Sequence, residues 1–138
     1  MKIDTKELIN KITPDSNIEM FFEQYSDEIR EVTIKELLDS YLFKKEIRIA
    51  DVAEKSGHGE YVYKVFNGSC IASRDILIAI AIGLSLELEE CQLLLRVAKY
   101  AVLDPRDKKD SICIFAVKSK YTIERLNDLL YENGFNEI

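Results

Sequence analysis

The chain has 138 residues, a net charge of −6 at pH 7 and 47% hydrophobic side chains. That length fits one compact domain with a small appended lobe, and it can bury a real core without metal or disulfide cross-links. The longest apolar run, residues 76–84, is too short to cross a bilayer, and the charged N-terminus lacks a signal-peptide pattern, so we expect a cytoplasmic protein that does not enter a membrane.

The three cysteines, Cys70, Cys91 and Cys113, lie about twenty residues apart. An odd number at this spacing suits neither a disulfide framework nor the close pairs of a zinc site. We therefore expect reduced thiols at core or near-surface positions, with no metal and no cofactor.

The charge is unevenly distributed along the chain. Residues 1–43 carry −5, residues 44–75 carry +1 and residues 76–138 carry −2. An acidic balance counts against a polyanionic partner, because neutralisation of phosphates by basic side chains supplies much of the affinity for DNA. The central stretch is the least acidic and is the part of the chain best suited to DNA.

Helical periodicity and capping signals begin at the N-terminus. Residues 4–12 predict a short helix capped by Asp4 or Thr5. A second helix, at about residues 17–30, has an apolar stripe at helical spacing formed by Ile18, Phe21, Phe22, Tyr25 and Ile29. Thr33 is the expected cap of a third helix, which packs before the central ones.

The stretch from residue 48 to residue 84 has the layout of a helix, a glycine turn, a second helix, a loop and a very apolar helix. Gly57 ends the first helix, where a sharp turn usually needs a positive φ that glycine adopts without steric penalty. The second helix spans about residues 59–67 and turns Val62 and Val65 toward the interior. Its outward face is polar and aromatic, as expected of a helix that enters a major groove.

The stretch resembles the DNA-binding domain of the phage-repressor (Cro and cI type) helix-turn-helix family over about residues 34–88. The residues that carry the resemblance are Val52, Ala53, Gly57, Val62, Val65, Asn67, Gly68, Ser73, Arg74 and Asp75. It implies an all-α, repressor-type helix-turn-helix bundle that binds double-stranded DNA. The span from Gly57 to Gly68 is one residue shorter than usual in the family, and we expect Gly59 to absorb the deletion in the turn.

Three regions follow from this layout: an N-terminal helical extension at residues 1–32, the helix-turn-helix domain at residues 33–88 and a C-terminal helical lobe at residues 89–138. The lobe should end in a helical hairpin that turns near Lys120, with a stripe of Ile112, Phe115 and Ala116 on its first helix. It resembles the C-terminal lobe of a group of small uncharacterised bacterial regulators. The expected N-caps after the central helices are Ser73, Ser85, Asp104 (followed by Pro105 in the first turn) and Thr122.

The resemblance and the outward-facing positions together define the candidate DNA contacts. They are Lys45, Arg48, Gly59, Glu60, Tyr61, Tyr63, Lys64, Asn67, Ser69 and Arg74. Tyr63 and Lys64 are the best candidates for a base or phosphate contact. The basic cluster at residues 44–48 is typical of phosphate contacts and equally typical of a solvated helix end.

An enzyme finds little support in these residues, because the single histidine, His58, has no cysteine or carboxylate at ligand spacing. Two functions from different classes remain. The first is a sequence-specific DNA-binding transcription regulator that acts as a homodimer, because one short helix reads few base pairs. Its dimer interface could be the N-terminal aromatic stripe or the C-terminal hairpin. The second is a protein-interaction adaptor that uses the same scaffold, with a partner on the acidic N-terminal or C-terminal lobe.

Overall fold

The computed structural model describes residues 3–26 and 32–138, and within them it contains helices and no strands. The helices are α1 (Thr5–Asn10), α2 (Ile18–Gln24), α3 (Ile34–Lys45), α4 (Ile49–Ser56), α5 (Glu60–Phe66), α6 (Arg74–Gly83), α7 (Leu88–Val97), α8 (Lys108–Lys118) and α9 (Ile123–Glu132). The all-α prediction is confirmed. In the described part of the chain, no helix has the length and apolar character that a membrane crossing requires.

The chain divides into two compact units, Met1–Glu31 and Val32–Ile138. In the first unit, Phe21 on α2 is buried and its ring lies 4.9 Å from the ring of Tyr25. The predicted stripe is only partly inward, since Ile18 and Phe22 are 41% and 51% exposed. The second helix is also shorter than predicted, because it ends at Gln24, and the predicted positions 27–30, with Ile29, lie outside the described residues.

Side-chain caps at the N-termini and glycines after the C-termini fix the ends of most helices in the two units. The side chains of Asp4, Thr33, Ser73 and Thr122 each accept a hydrogen bond from a backbone N–H in the first turn of the helix that follows, as predicted. The helices α4, α5 and α9 are each followed, within two residues, by a glycine with φ between +78° and +84°. These glycines release the chain into the turn that follows.

The cap predicted at Ser85 is wrong. Ser85 has φ +52° and lies in the turn after α6, because Leu86, which is 1% exposed, is drawn into the core and its N–H donates to Ala81 O at 3.0 Å. The helix α7 therefore begins two residues later than predicted. Glu87 is its N-cap and forms a reciprocal capping box with Glu90.

The start predicted at Asp104 and Pro105 is also wrong, because α8 begins at Lys108. The Asp104 side chain accepts from the Arg106 N–H at 2.9 Å and its carbonyl accepts from the Asp107 N–H at 3.0 Å, which closes a turn. Asp107 then caps α8 by accepting from the Asp110 N–H at 2.9 Å. On α8 the predicted stripe is wrong for Phe115, which is 52% exposed.

The helix α6 is the centre of the second unit, and its residues from Leu77 to Gly83 are all buried. It packs against α4, α7, α8 and α9, so the predicted C-terminal lobe shares one core with the helix-turn-helix. Gly83 lies where α6 meets the backbone of α4: a Cβ at this position would lie 3.1 Å from both Val52 O and Ser56 N. Glycine at this position therefore accommodates a close helix approach, where the sequence predicted only a helix end.

We expect Gly83→Ala to destabilise the protein by about 1–3 kcal/mol, because the added methyl group meets backbone atoms that cannot rotate away. Without that close approach, alanine in a helix would raise stability by roughly 0.5–1 kcal/mol. Urea unfolding measures the difference. Lys55→Ala, at an exposed position of α4, is the control and should change stability by less than about 0.5 kcal/mol. A more stable Gly83→Ala variant would show that the two helices have room to separate.

Candidate nucleic-acid interface

The turn between α4 and α5 is built on two glycines. Gly57 has φ +78° and follows the last residue of α4. Gly59 has φ +50° and ψ −126°, and its N–H donates to Ala53 O at 3.2 Å. This backbone conformation is one that residues with a side chain rarely adopt, so Gly59 supplies the conformational freedom that this turn requires. His58, between the two glycines, is partly buried.

The helix α5 has one buried side and one open side. Val62, Val65 and Phe66 are at most 2% exposed and face the core, which confirms the predicted orientation of the two valines. The opposite side, which we call the outer face of α5, consists of Glu60, Tyr61, Tyr63, Lys64 and Asn67, all exposed. This face therefore presents aromatic, cationic and amide groups to the surroundings from a helix fixed by its other side.

Tyr61 is partly committed to the loop that follows α5. Its hydroxyl donates to the carbonyl of Ile71 at 3.3 Å, and a hydrogen bond with the thiol of Cys70 raises the pKa of Tyr61. Tyr61 is still 37% exposed, against 44% for Tyr63. Tyr63 is thus the more available aromatic group, while Tyr61 links the outer face of α5 to the loop.

The turn that follows α5 is stabilised by hydrogen bonds between residues that are close in the sequence. The Ser69 N–H donates to the side-chain oxygen of Asn67 at 2.8 Å and to Lys64 O at 3.0 Å. The Ser69 hydroxyl donates to Lys64 O at 3.4 Å. Asn67 and Ser69, both predicted as DNA contacts, lie together at this end of α5, and both are exposed.

The first turns of α4 and α5 differ from those of the other described helices. Neither Arg48 at the start of α4 nor Gly59 at the start of α5 forms a side-chain capping bond. The other described helices have a side-chain cap or, in α7, a capping box. Uncapped N–H groups at a helix start carry partial positive charge and favour anions. The eight-residue α4 therefore adds to the positive charge of Arg48 at this end.

The basic side chains that lead into α4 are partly neutralised within the protein. Lys45 Nζ lies 3.2 Å and Lys44 Nζ lies 3.5 Å from the carboxylate of Glu90. Burial opposes ionisation of Glu90, but its hydrogen bonds and the two lysine charges outweigh burial and lower its pKa. Lys45 is only 20% exposed, so it is held in this pair and not free to extend.

Arg48 and Lys64 are the more accessible cations of the predicted set. Arg48 is 83% exposed and its Nε lies 3.5 Å from the Asp51 carboxylate, which is a weak surface pair. Lys64 is exposed and, in the part of the chain that the structure describes, forms no ion pair. The cationic part of the interface therefore depends on Arg48 and Lys64.

Arg74, the first residue of α6, points toward the C-terminal lobe. Its guanidinium donates to both oxygens of Asp110 at 2.9 and 2.8 Å, to Ala101 O at 2.9 Å and to Val102 O at 3.2 Å. These bonds engage all three nitrogens of the group. Arg74 therefore belongs to the junction between α6 and α8 and has no guanidinium nitrogen without a partner in the protein, although its predicted contact with DNA stays a prediction.

Asp110 is the acceptor at the centre of this junction and is 7% exposed. Burial opposes its ionised form, but the hydrogen bonds from Arg74 and from the Asp104 N–H, with the charges of Arg74 and Lys109, outweigh burial and lower the pKa of Asp110. A second pair, Lys109 with Asp75 at 3.0 Å, lies beside it. No local spacing in the sequence indicates either pair, because the partners are more than thirty residues apart.

Comparisons with protein-family models, with curated proteins and with solved structures found no match to this chain. The functional interpretation therefore depends on the residues and on their geometry.

We expect Asp110→Asn to destabilise the protein by roughly 1–3 kcal/mol at pH 7, since it removes the charged acceptor from a partly buried ion pair. The folded-state pKa of Asp110 is lowered, so its contribution is present above the unfolded-state pKa and is lost as pH falls through the folded-state value. Wild type should therefore lose stability below about pH 4 more steeply than the variant.

Urea unfolding at a series of pH values measures this difference. Asp128→Asn, at an exposed position of α9, is the matched control and should follow the wild-type curve. Parallel curves for wild type and Asp110→Asn at acid pH would contradict the assignment.

Proposed function

We propose that this protein is a cytoplasmic, sequence-specific DNA-binding transcription regulator that inserts α5 into the major groove of double-stranded DNA. The observation that carries the proposal is the outer face of α5, where Tyr63 and Lys64 are exposed on a helix whose other side is fixed by Val62, Val65 and Phe66. A helix of this kind, preceded by a helix and a tight turn, is the arrangement used in helix-turn-helix recognition.

The residues divide by role in this proposal. Lys64 and Asn67 offer donors for base edges, and Tyr63 offers a hydroxyl and a ring. Arg48 and the uncapped first turn of α4 contact phosphate. Glu60 has no donor and repels phosphate, so it would accept from a cytosine amino group or lie apart from the backbone.

The small number of free cations supports a dimer in this proposal. Among the predicted basic contacts only Arg48 and Lys64 are highly accessible, and so few positive charges predict weak binding by one copy. Two copies on half-sites about one helical turn apart would add their contacts and raise the affinity.

A protein-interaction adaptor is the second candidate, and a specific observation favours it. Three of the four predicted basic contacts, Lys45, Arg48 and Arg74, each lie within 3.5 Å of a carboxylate of the same chain. The basic face is therefore interrupted. In the adaptor, the exposed tyrosines of α5 would bind a protein, since tyrosine is enriched in protein interfaces.

The substitution that separates the two functions is Lys64→Glu. It replaces an attraction by a repulsion at the groove, so we expect more than tenfold weaker binding, at roughly 1–3 kcal/mol per good base contact. Folding should barely change, because the side chain is exposed. The measurement is fluorescence anisotropy on the duplex most enriched from a random pool by the wild type.

Lys118→Glu on α8 is the matched control, because it makes the same charge change at an exposed position at the end of another helix. It should weaken binding far less. If no duplex is enriched, or if Lys64→Glu and Lys118→Glu bind alike, direct DNA reading is wrong and the adaptor is the better account.

Arg48→Ala tests the phosphate role. It should weaken binding to every duplex to a similar extent and reduce the slope of log K against log salt by about one for each phosphate that the protein no longer neutralises. A salt titration of wild type and variant on two unrelated duplexes measures this. Weaker binding to one duplex alone would instead assign Arg48 to base reading.

A further inference from the structure

A cavity of about 260 Å³ lies next to the exit from α5, and no role has yet been assigned to it. We call it the α5-exit cavity. Its lining combines the start of α3, the end of α5, the loop before α6 and the end of α7, with Ile34, Val65, Cys70, Ala72, Leu77 and Ala98 among its residues. The walls are therefore mainly aliphatic, and the space exceeds that of one aliphatic side chain.

Ile71 lies at the rim of this cavity and is 90% exposed, the most exposed of the large apolar side chains in the described residues. Two tyrosine hydrogen bonds hold the backbone at Ile71 and at the next residue. Tyr61 donates to the carbonyl of Ile71 at 3.3 Å, and Tyr100 donates to the carbonyl of Ala72 at 2.7 Å. Ile71 is thus an apolar side chain presented to the surroundings by a fixed backbone, which lowers the entropy cost of a contact.

We propose that Ile71 of one copy enters the α5-exit cavity of a second copy, and that the reciprocal contact forms a symmetric homodimer. An exposed side chain beside a cavity is self-complementary, because a two-fold axis near the rim brings each isoleucine to the cavity of the partner. This inference deepens the proposed function, which calls for a dimer, but the contact itself requires no DNA.

The charges around the cavity fit a second copy as the occupant. In a two-fold contact the same patch meets itself, so a charged patch would place like charges together. Among the cavity-lining residues the one charged side chain is Lys35, and it pairs with Asp39 at 2.8 Å. By contrast, α2 carries Glu19 and Glu23 around its exposed apolar residues. The cavity is therefore a better interface than the predicted N-terminal stripe.

The position of this contact also bears on DNA reading. The Ile71 carbonyl, at the rim of the cavity, accepts a hydrogen bond from the hydroxyl of Tyr61. Tyr61 belongs to the outer face of α5. A dimer formed through this loop would therefore link the two α5 helices, and one Tyr61–Ile71 hydrogen bond in each copy would join α5 to the contact. The spacing of the half-sites would follow from the dimer and not from a flexible linker.

The test is the dimer dissociation constant, measured by sedimentation over a concentration series without DNA. We expect a micromolar dimer for the wild type, because the patch is small. Ile71→Asp should weaken it at least about tenfold, since it places two charges in apolar cavities. Phe43→Asp is the matched control: Phe43 is 88% exposed and does not line this cavity, so the variant should dimerise like the wild type.

A second variant tests the cavity side of the contact. Ala98→Leu fills space in the α5-exit cavity and should also weaken the dimer, with circular dichroism confirming that the chain is folded. A wild type that is monomeric at about 100 µM would overturn the proposal. An Ile71→Asp variant, or a folded Ala98→Leu variant, that dimerises like the wild type would also overturn the proposal. The cavity would then have another occupant. A dimer that depends on Ile71 but enriches no duplex would sustain this inference and reject the DNA function.

Discussion

The close contact between Gly83 of α6 and the α4 backbone near Val52 and Ser56 determines how the second unit presents its surface. Since α6 is buried along almost its whole length, it acts as a fixed reference against which α4 is placed. The two glycines of the turn then direct α5 away from α4, and the buried residues of α5 decide which side faces outward. The outer face of α5 is therefore a consequence of core packing and not of its own polar residues.

The distribution of carboxylates decides what that face can bind. Glu90 holds Lys45 and Asp110 holds Arg74, so two cations of the central stretch serve the fold, and the more exposed Lys44 lies 3.5 Å from Glu90. The net charge of +1 counted from the sequence thus overstates the positive charge available to a phosphate. The other cations of the stretch are Lys55 and Lys64, which form no ion pair in the described residues, and Arg48, which forms only a weak surface pair; this small number favours binding that depends on a few contacts and on a second copy.

Signals that act within a few residues of each other could be read from the sequence. The caps at Thr33, Ser73 and Thr122 and the turn at Gly57 follow from bonds within three residues, and Val62 and Val65 follow from helical spacing. The overall all-α class follows from the same signals repeated along the chain.

Features that depend on distant parts of the chain could not be read in this way. The choice of Glu87 over Ser85 as a cap depends on the burial of Leu86 in the core. Asp110 lies 36 residues from Arg74, and no periodicity connects them. The contact of Gly83 with α4 and the exposure of Ile71 likewise depend on how helices meet, so the candidate site was predicted in its position but not in its charge.

DNA binding by α4 and α5 is tested most directly by a map of backbone amide chemical-shift changes, recorded as a 20-base-pair duplex of mixed sequence is added at low salt. We expect the largest changes at the start of α4, from Arg48 to Asp51, and on α5, from Glu60 to Asn67. We also expect these changes to disappear together as salt is raised. Changes centred on α8 and α9 or on residues 3–26, or no changes at all at millimolar duplex, would contradict it.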